Sequence, residues 1–349
     1  METGSTATRC LRIAYLLEST ALSGGVKVVA LQAEALARRG HRVAVVSPEA
    51  APRWFALGRA HVELSAFRDS RELAQAQVRV ATFWTTVAPA LEGARGPVFH
   101  LCQGYEGDFS FYAGSRGAIE EAYARPTHKL AVSEALAQRL RGRGIEPVLN
   151  VGQAFDGRGF FPGPGRNGAE PYVLIVGPYA ADVKGIAVAF EGLARWRARG
   201  GAFRLRRIAT HPPAAAERSS GLVDEYHHAL APDRMPFAYR ASDIFIGPAR
   251  PEEGFGLPVL EALASGLPCL LSDTPGHREI AGEAAWYFAD GDPDALAASL
   301  PMVATREARE KARVEGPRAA ARYDSAPVAE KLEKAFLEAL GPAGGEGEG

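Results

Sequence analysis

Short apolar runs alternate with stretches of helical periodicity along this chain, and the alternation comes in two series. Apolar runs bounded by turn residues suit the strands of a parallel sheet, and the periodic stretches between them suit crossover helices. The first series places strands near 11–17, 42–46, 78–83, 98–102, 129–132 and 148–151. The second places them near 172–176, 204–209, 244–247, 269–272 and 286–288. The first helix sets Val26, Val29, Ala30, Ala33, Leu36 and Ala37 on one stripe and stops at Gly40. Between the series, the twelve residues 157–168 include seven Gly or Pro, the composition of a linker. The pattern predicts an α/β chain of two doubly wound, Rossmann-like domains with a cleft between them, where ligands bind at the carboxyl ends of the strands. Domains are expected over 10–160 and 172–325, joined by a linker at 161–171. A last helix is expected over 326–340, and the glycine-rich 341–349 reads as a disordered tail.

Composition narrows the picture without naming a function. A length of 349 residues accommodates two domains, and 47% hydrophobic with 23% charged residues is ordinary for a globular protein. The formal net charge of -1 supplies no global field to recruit nucleic acid. Cys10, Cys102 and Cys269 lie in or beside apolar runs with no C-x-x-C, so reduced core cysteines are expected. The amino terminus has no apolar h-region and no 18-residue apolar run occurs, so a cytoplasmic chain with at most peripheral membrane contact is expected. Arginine runs around 38–42, 139–143 and 195–207 read as solvated surface.

The chemistry concentrates in Pro251 to Glu261, PEEGFGLPVLE, where two carboxylates lie eight positions apart around a glycine-rich turn into a helix. Pro258 is expected at the first helical position, with Glu261 in the first turn and Glu253 in the loop before it. Gly254 and Gly256 would let backbone approach a ligand, and the free amides near Phe255 to Leu257 would face an anion. A carboxylate accepts two hydrogen bonds, so each Glu suits a pair of sugar hydroxyls. A capped helix with acidic residues near its positive end explains the same spacing. The loop after the first strand lacks G-x-G-x-x-G and GPYAADVKG is not a P-loop, which argues against dinucleotide dehydrogenases and P-loop enzymes. Asp290, Asp292 and Asp294 form D-x-D-x-D, but Ala295 stands where a calcium loop needs glycine; Asp292 before Pro293 reads as a helix cap, and no metal site is expected.

The longer segment Pro248 to Ile280, PARPEEGFGLPVLEALASGLPCLLSDTPGHREI, resembles the signature of the retaining family 4 glycosyltransferases, which carry E-x7-E ahead of an EALA-type helix. Ser23-Gly24-Gly25, LARRGHRV, AVSEALAQRL and VGPYAADVKG fall at matching places, so the resemblance runs from about Arg12 to about Leu340. It implies the two-domain GT-B fold, with an amino-terminal acceptor side, a carboxy-terminal nucleotide-sugar side and the last helix crossing back to the first domain. It implies transfer of a sugar from a nucleoside-diphosphate sugar to a hydroxyl of a carbohydrate or glycolipid acceptor, with retention and no metal. No cofactor is implied, because the nucleotide sugar is the donor substrate. Surface polysaccharide or glycoconjugate synthesis at the inner membrane face would be a setting for it. A non-catalytic nucleotide-sugar-binding subunit and a nucleotide-sugar epimerase of the same architecture are the alternatives.

The resemblance also assigns residues. Lys184 of the Lys184-Gly185 pair would contact the diphosphate, where a compact ammonium can neutralise developing charge. Glu253 would hold the transferred sugar and Glu261 the ribose, with Gly24, Gly25, Gly254, Phe255, Gly256 and Leu257 around the donor. Gly177 is followed by Pro178 where relatives carry Arg; Arg250 or Arg278 could substitute, but each reads better as a surface arginine. Gln103 ends the strand at which many relatives place a His, and with Tyr105 and Glu106 it forms a QGYE loop on the acceptor side. His100, two residues inside that strand, reads as a hydrogen-bonded core histidine rather than a base.

Overall fold

The computed structural model describes residues 9–55, 61–63, 67, 70–165 and 170–342. They build two parallel sheets. The first contains β1 (Arg12–Leu16), β2 (Arg42–Ser47), β3 (His61–Glu63), β4 (Val78–Ala81), β5 (Val98–Cys102), β6 (His128–Ala131) and β7 (Val148–Asn150) in the order β3-β2-β1-β4-β5-β6-β7. The second contains β8 (Tyr172–Val176), β9 (Arg204–Ala209), β10 (Val223–His228), β11 (Ile244–Gly247), β12 (Cys269–Ser272) and β13 (Trp286–Phe288) in the order β10-β9-β8-β11-β12-β13. In β4, β5, β11 and β12 every residue is buried, the burial of strands covered by helices on both faces. Strand order reverses between β1 and β4 and between β8 and β11, and a doubly wound sheet opens a binding crevice at such a point.

Two edge strands differ from the sequence expectation. Neither β3 nor β10 is expected from the apolar runs, and the reason is visible in β10, whose residues are half-buried or exposed and read as VDEYHH. An edge strand need not be apolar, and polar residues there discourage pairing with other chains. Strand β4 ends earlier than expected because Thr86 Oγ1 accepts from the amides of Thr82 and Phe83 and draws the chain into the helix Trp84–Leu91.

Ser23 caps the helix Gly24–Arg38, its side chain accepting from Val26 N at 3.2 Å, and Gly40 at φ +93° turns the chain out of it. Ala37 is exposed rather than part of the buried stripe, while Val28, Leu31, Gln32 and Ala35 are buried as well. The wider buried face is explained by the helix Ser325–Leu340, which lies against the first sheet through Phe336 on Phe99, with ring centroids 4.8 Å apart, and through an ion pair of Arg39 with Glu333. Asp324 caps that last helix by accepting from Ala326 N at 3.0 Å.

The Gly/Pro-rich stretch is strapped down along its described part. Arg240 donates to the Gly159 carbonyl and Arg313 to that of Gly163, while Pro162 packs where a Cβ on Gly266 would sit. Residues 166–169 lie outside the described residues, as do 1–8 and, of the expected tail, 343–349. Cys102 and Cys269 are buried, but Cys10 is exposed, a correction to the expectation of three core cysteines.

Candidate functional site

The cleft at the strand ends has a volume of about 480 Å³ and is bounded by both sheets. Gly24, Gly25, Lys27 and Gln103 come from the first; Lys184, Glu253, Gly254, Phe255, Leu257 and Glu261 come from the second. Backbone fit explains why this wall is glycine-rich. A Cβ on Gly254 would fall 1.9 Å from the Gln103 carbonyl oxygen, so the glutamate loop lies directly on the backbone of the opposite sheet. Gly254 therefore serves the approach of protein to protein rather than of ligand to protein. Gly256, Gly24 and Gly25 are less tightly confined, a Cβ on each meeting side-chain atoms of Val259, Leu257 and Gln103 at 3.0, 3.3 and 3.3 Å, and Gln103 Nε2 donates to the Gly25 carbonyl at 3.2 Å. Ser133 adds a hydrogen bond to Gly254 O at 2.9 Å, and the Glu279 carboxylate accepts from the amides of Glu134 and Ala135 at 2.8 Å each.

The helix Leu257–Ala264 begins one residue earlier than expected, so Pro258 is its second residue and Glu261 its fifth, beyond the first turn. Glu261 nevertheless reaches the cleft, where Lys27 Nζ donates to it at 2.8 Å; their side chains are 7% and 19% exposed. Lys27 is a cleft residue that sequence reasoning missed, although it stands two positions after the quoted glycine pair. Lys184 pairs with Glu253 in the same manner. The Lys184-Gly185 dipeptide has a backbone reason: Gly185 is at φ +60° and a Cβ there would lie 1.9 Å from the Pro248 carbonyl, so the turn bearing Lys184 sits on the strand end that leads into the glutamate loop. Two lysine–glutamate pairs thus line one cleft, and an ammonium next to each carboxylate equips the wall for a ligand bearing both phosphates and hydroxyls.

Above β8, Gly177 adopts φ +132° and Pro178 offers no amide. Arg207 lies beneath, fully buried, donating to the carbonyls of Ile175 and Gly177 at 2.7 Å each and to Glu217 at 2.8 Å. Its donors are spent on the backbone, so it shapes the loop rather than meeting a ligand. Arg250 and Arg278 do not line the cleft; both lie at the surface, the reading preferred for them, and neither replaces the absent Arg. Arg250 stands 3.7 Å from Asp290, and Arg278 forms a bidentate pair with Asp273 at 2.7 and 2.9 Å over the ring of Tyr287.

His100 is wholly buried in β5, its ring 4.6 Å from that of Tyr123, and neither nitrogen finds a hydrogen-bond partner among the described residues. The expected core location is observed but not the expected hydrogen bond; burial first, and then the charge of Lys129, push its pKa down to about 3. Glu106 is 6% exposed and accepts from Tyr123 Oη at 2.7 Å, and burial pushes its pKa up to about 7. Tyr105 packs on Tyr123 with ring centroids 4.9 Å apart. Of the QGYE loop, therefore, only Gln103 lines the cleft. Asp292 caps the helix Pro293–Val303 through the amides of Asp294 and Ala295, as expected, and no group of three His, Cys, Asp or Glu able to hold a metal occurs among the described residues.

Three comparisons with known proteins bear on this arrangement. Residues 170–335 match the family described as Glycosyl transferases group 1. A stretch of 48 residues is 46% identical to the serotype-specific mannosyltransferase WbdA of Escherichia coli, covering 14% of this chain and 6% of that one. Over 102 residues the chain is 31% identical to the phosphatidyl-myo-inositol mannosyltransferase of Mycobacterium leprae, covering 28% of this chain and 27% of that one. Both matches span far less than two thirds of these relatives' length. Among solved structures, Anabaena HepE in complex with UDP-glucose superposes with a TM-score of 0.73 at 16% identity, covering 93% of this chain and 98% of that one. The architecture is the GT-B fold.

Proposed function

We propose, from the match of residues 170–335 to the family described as Glycosyl transferases group 1, that this chain moves a sugar from a nucleoside-diphosphate sugar to an acceptor hydroxyl with retention and without a metal. The observation that carries the reading is the pairing of Glu253 with Lys184 and of Glu261 with Lys27 on the walls of one cleft. In this reading Glu261 accepts from the ribose hydroxyls and Glu253 from those of the transferred sugar. The lysines turn to the diphosphate oxygens, which carry the charge released as the bond from the anomeric carbon to the leaving oxygen breaks. The acceptor oxygen bonds to the same face of that carbon, and its proton passes to the departing diphosphate. The apolar positions Ile208, Ala209, Ala229, Leu230 and Met235 continue the cleft beyond Glu261 and suit a nucleobase.

Lys27 supplies a second ammonium in a cleft where Pro178 offers no donor, which favours turnover over the alternative of a sugar-nucleotide-binding subunit. Two of the relatives are mannosyltransferases, which makes a mannose donor the first to test. A carbohydrate or glycolipid acceptor of a surface polysaccharide, reached from the cytoplasmic side, fits the same relatives, and no helix among the described residues is long and apolar enough to cross a membrane. The deciding experiment combines a thermal-shift panel of nucleoside diphosphates with product analysis by NMR. A bound nucleotide at about 100 times its dissociation constant adds about 2.7 kcal/mol of stability. The reading expects one nucleotide to respond, its sugar to be transferred with unchanged anomeric configuration, and transfer to survive EDTA. Binding without consumption of donor would establish the binding subunit instead, and a changed sugar without acceptor would establish an epimerase.

A further inference from the structure

The two glutamates of the cleft are carried in different ways. Glu261 stands on the helix Leu257–Ala264, a regular element of the second domain. Glu253 stands in the loop before that helix, and the support of this loop changes hands within a few residues. As far as Arg250 it is held by the second domain: the Arg250 amide donates to the Val183 carbonyl at 2.8 Å, and Ser272 Oγ donates to the Ala249 carbonyl. A turn follows, closed by the Glu253 amide on the Arg250 carbonyl at 3.0 Å. Around that turn the carbonyls and the neighbouring carboxylate are taken by the first domain. Arg139 donates to the Pro251 carbonyl and, at 3.1 Å, to the Glu252 carboxylate, while Ser133 takes the Gly254 carbonyl.

Arg139 is fixed from its own side as well. Its Nε lies 2.8 Å from the Asp108 carboxylate, which also pairs with Arg143, and the side chains of Arg139 and Asp108 are 25% and 13% exposed. The arginine run around 139–143 is therefore not simply the solvated surface expected of it. A guanidinium presents five N–H donors in a rigid fork, so one side chain can brace Asp108 of the first domain against Pro251 and Glu252 of the second. Neither Arg139 nor Asp108 lines the cleft. Lys27 also reaches Glu261 from the first domain, but it meets the carboxylate itself and not the backbone that carries it.

We propose that Arg139, oriented by Asp108, is a positioning residue that places Glu253 from the opposite domain. The inference rests on the transferase reading and adds to it a division of labour between the glutamates: the ribose is gripped from a helix of one domain, the transferred sugar from a loop that needs both. Nucleotide binding then tolerates parted domains, whereas the sugar is fixed only when the first domain holds the loop. A partly exposed ion pair contributes little to stability, so the effect falls on geometry, where a displacement of about 1 Å can cost on the order of a hundred-fold in rate.

The test compares the full chain with Arg139→Gln, Arg139→Lys and Asp108→Asn in three measurements: amide hydrogen exchange without ligand, calorimetric affinity for GDP and for UDP, and release of the nucleoside diphosphate from GDP-mannose and UDP-glucose. In Arg139→Gln we expect exchange over residues 251–256 to quicken about ten-fold or more while 257–264 exchange as in the parent, because only the loop loses an anchor. Affinity for the free nucleotide should stay within about two-fold and kcat should fall roughly ten- to a hundred-fold. Arg139→Lys, which keeps a charged donor, should recover part of kcat, and Asp108→Asn should move both readouts in the same direction by less. Melting curves check the fold, and Asp108→Asn, an isosteric change outside the cleft, reads the same brace if Arg139→Gln does not fold. Parent-like exchange in the loop, or a loss of free-nucleotide affinity as large as the loss of kcat, would overturn the positioning role. The exchange measurement needs no substrate, so the two readings fail separately: a parent that binds neither nucleotide sinks the transferase, and nucleotide binding with parent-like exchange and turnover in all three variants sinks the brace alone.

Discussion

Two clusters of ionisable groups lie on opposite sides of the strand β5 terminus, and they have been solved in opposite ways. In the cleft, Glu253 and Glu261 each face an ammonium, Lys184 and Lys27, and all four side chains keep some contact with solvent. In the first domain, Glu106 faces the neutral hydroxyl of Tyr123, beside the unpartnered His100 and the buried thiol of Cys102. The second arrangement suppresses charge: burial pushes Glu106 up and His100 down, so both favour their neutral forms. The first preserves charge by pairing it. Buried titratable residues thus divide by partner, and the pairs whose ions can be exchanged for a ligand's ions are the ones that lie in the cleft.

The largest break in that comparison is expected at the Lys184–Glu253 pair. Lys184→Ala should lower kcat/KM by at least about 2 kcal/mol, or some thirty-fold, the scale of a removed charge-stabilising donor. Steady-state kinetics in EDTA and in magnesium check this, and a variant behaving like the parent would discard the role of Lys184. Glu261→Gln comes next, with nucleotide diphosphate affinity weakened roughly ten- to a hundred-fold, the usual cost of about 1.5 to 3 kcal/mol for a charged hydrogen-bond partner. Glu253→Gln, by contrast, should retain affinity for the free nucleotide and lose turnover, so calorimetry on the two variants separates their roles.

Lys27→Met sharpens the comparison at smaller magnitude. It should weaken diphosphate binding about ten-fold and reduce the salt dependence of that binding, because an ammonium is replaced by an apolar side chain of similar length. The smallest effect concerns the neutral cluster. Glu106 has its folded pKa raised from 4.5 to about 7, so the folded state holds a proton that the unfolded state has lost between those values. Its contribution to stability is present below about pH 4.5 and fades as pH rises through about 7. Glu106→Gln removes that dependence, and melting temperatures at pH 5, 6 and 7.5 should fall less steeply with pH in the variant than in the parent.

Much of the scaffold was legible because burial leaves a periodic trace. Strands β4, β5, β11 and β12 are buried on both faces and mostly apolar, so they stand out as runs, whereas the polar β10 does not. The cap at Asp292 and the stop at Gly40 were readable from local chemistry, since a side chain bonding to amides two or three residues on needs no distant partner. Closeness in sequence to the glutamate loop does not bring Arg250 or Arg278 into the cleft: Arg278 pairs with the neighbouring Asp273, and Arg250 stands by Asp290, forty positions away, a contact that no local pattern announces.

The sequence by itself determined the buried strands and the helices between them, though not the edge strands β3 and β10, together with the paired carboxylates at 253 and 261 and the Lys-Gly turn, because each is specified by residues within one or two turns of chain. Only the tertiary structure decided that Lys27 meets Glu261 across 234 positions, that Gly254 is a glycine because the backbone of Gln103 lies on it, and that Phe109 and Phe111 open onto the same cleft. Those facts depend on how two sheets face each other, and the physical reason they escape the sequence is that a contact between distant segments leaves no local periodicity or spacing to read.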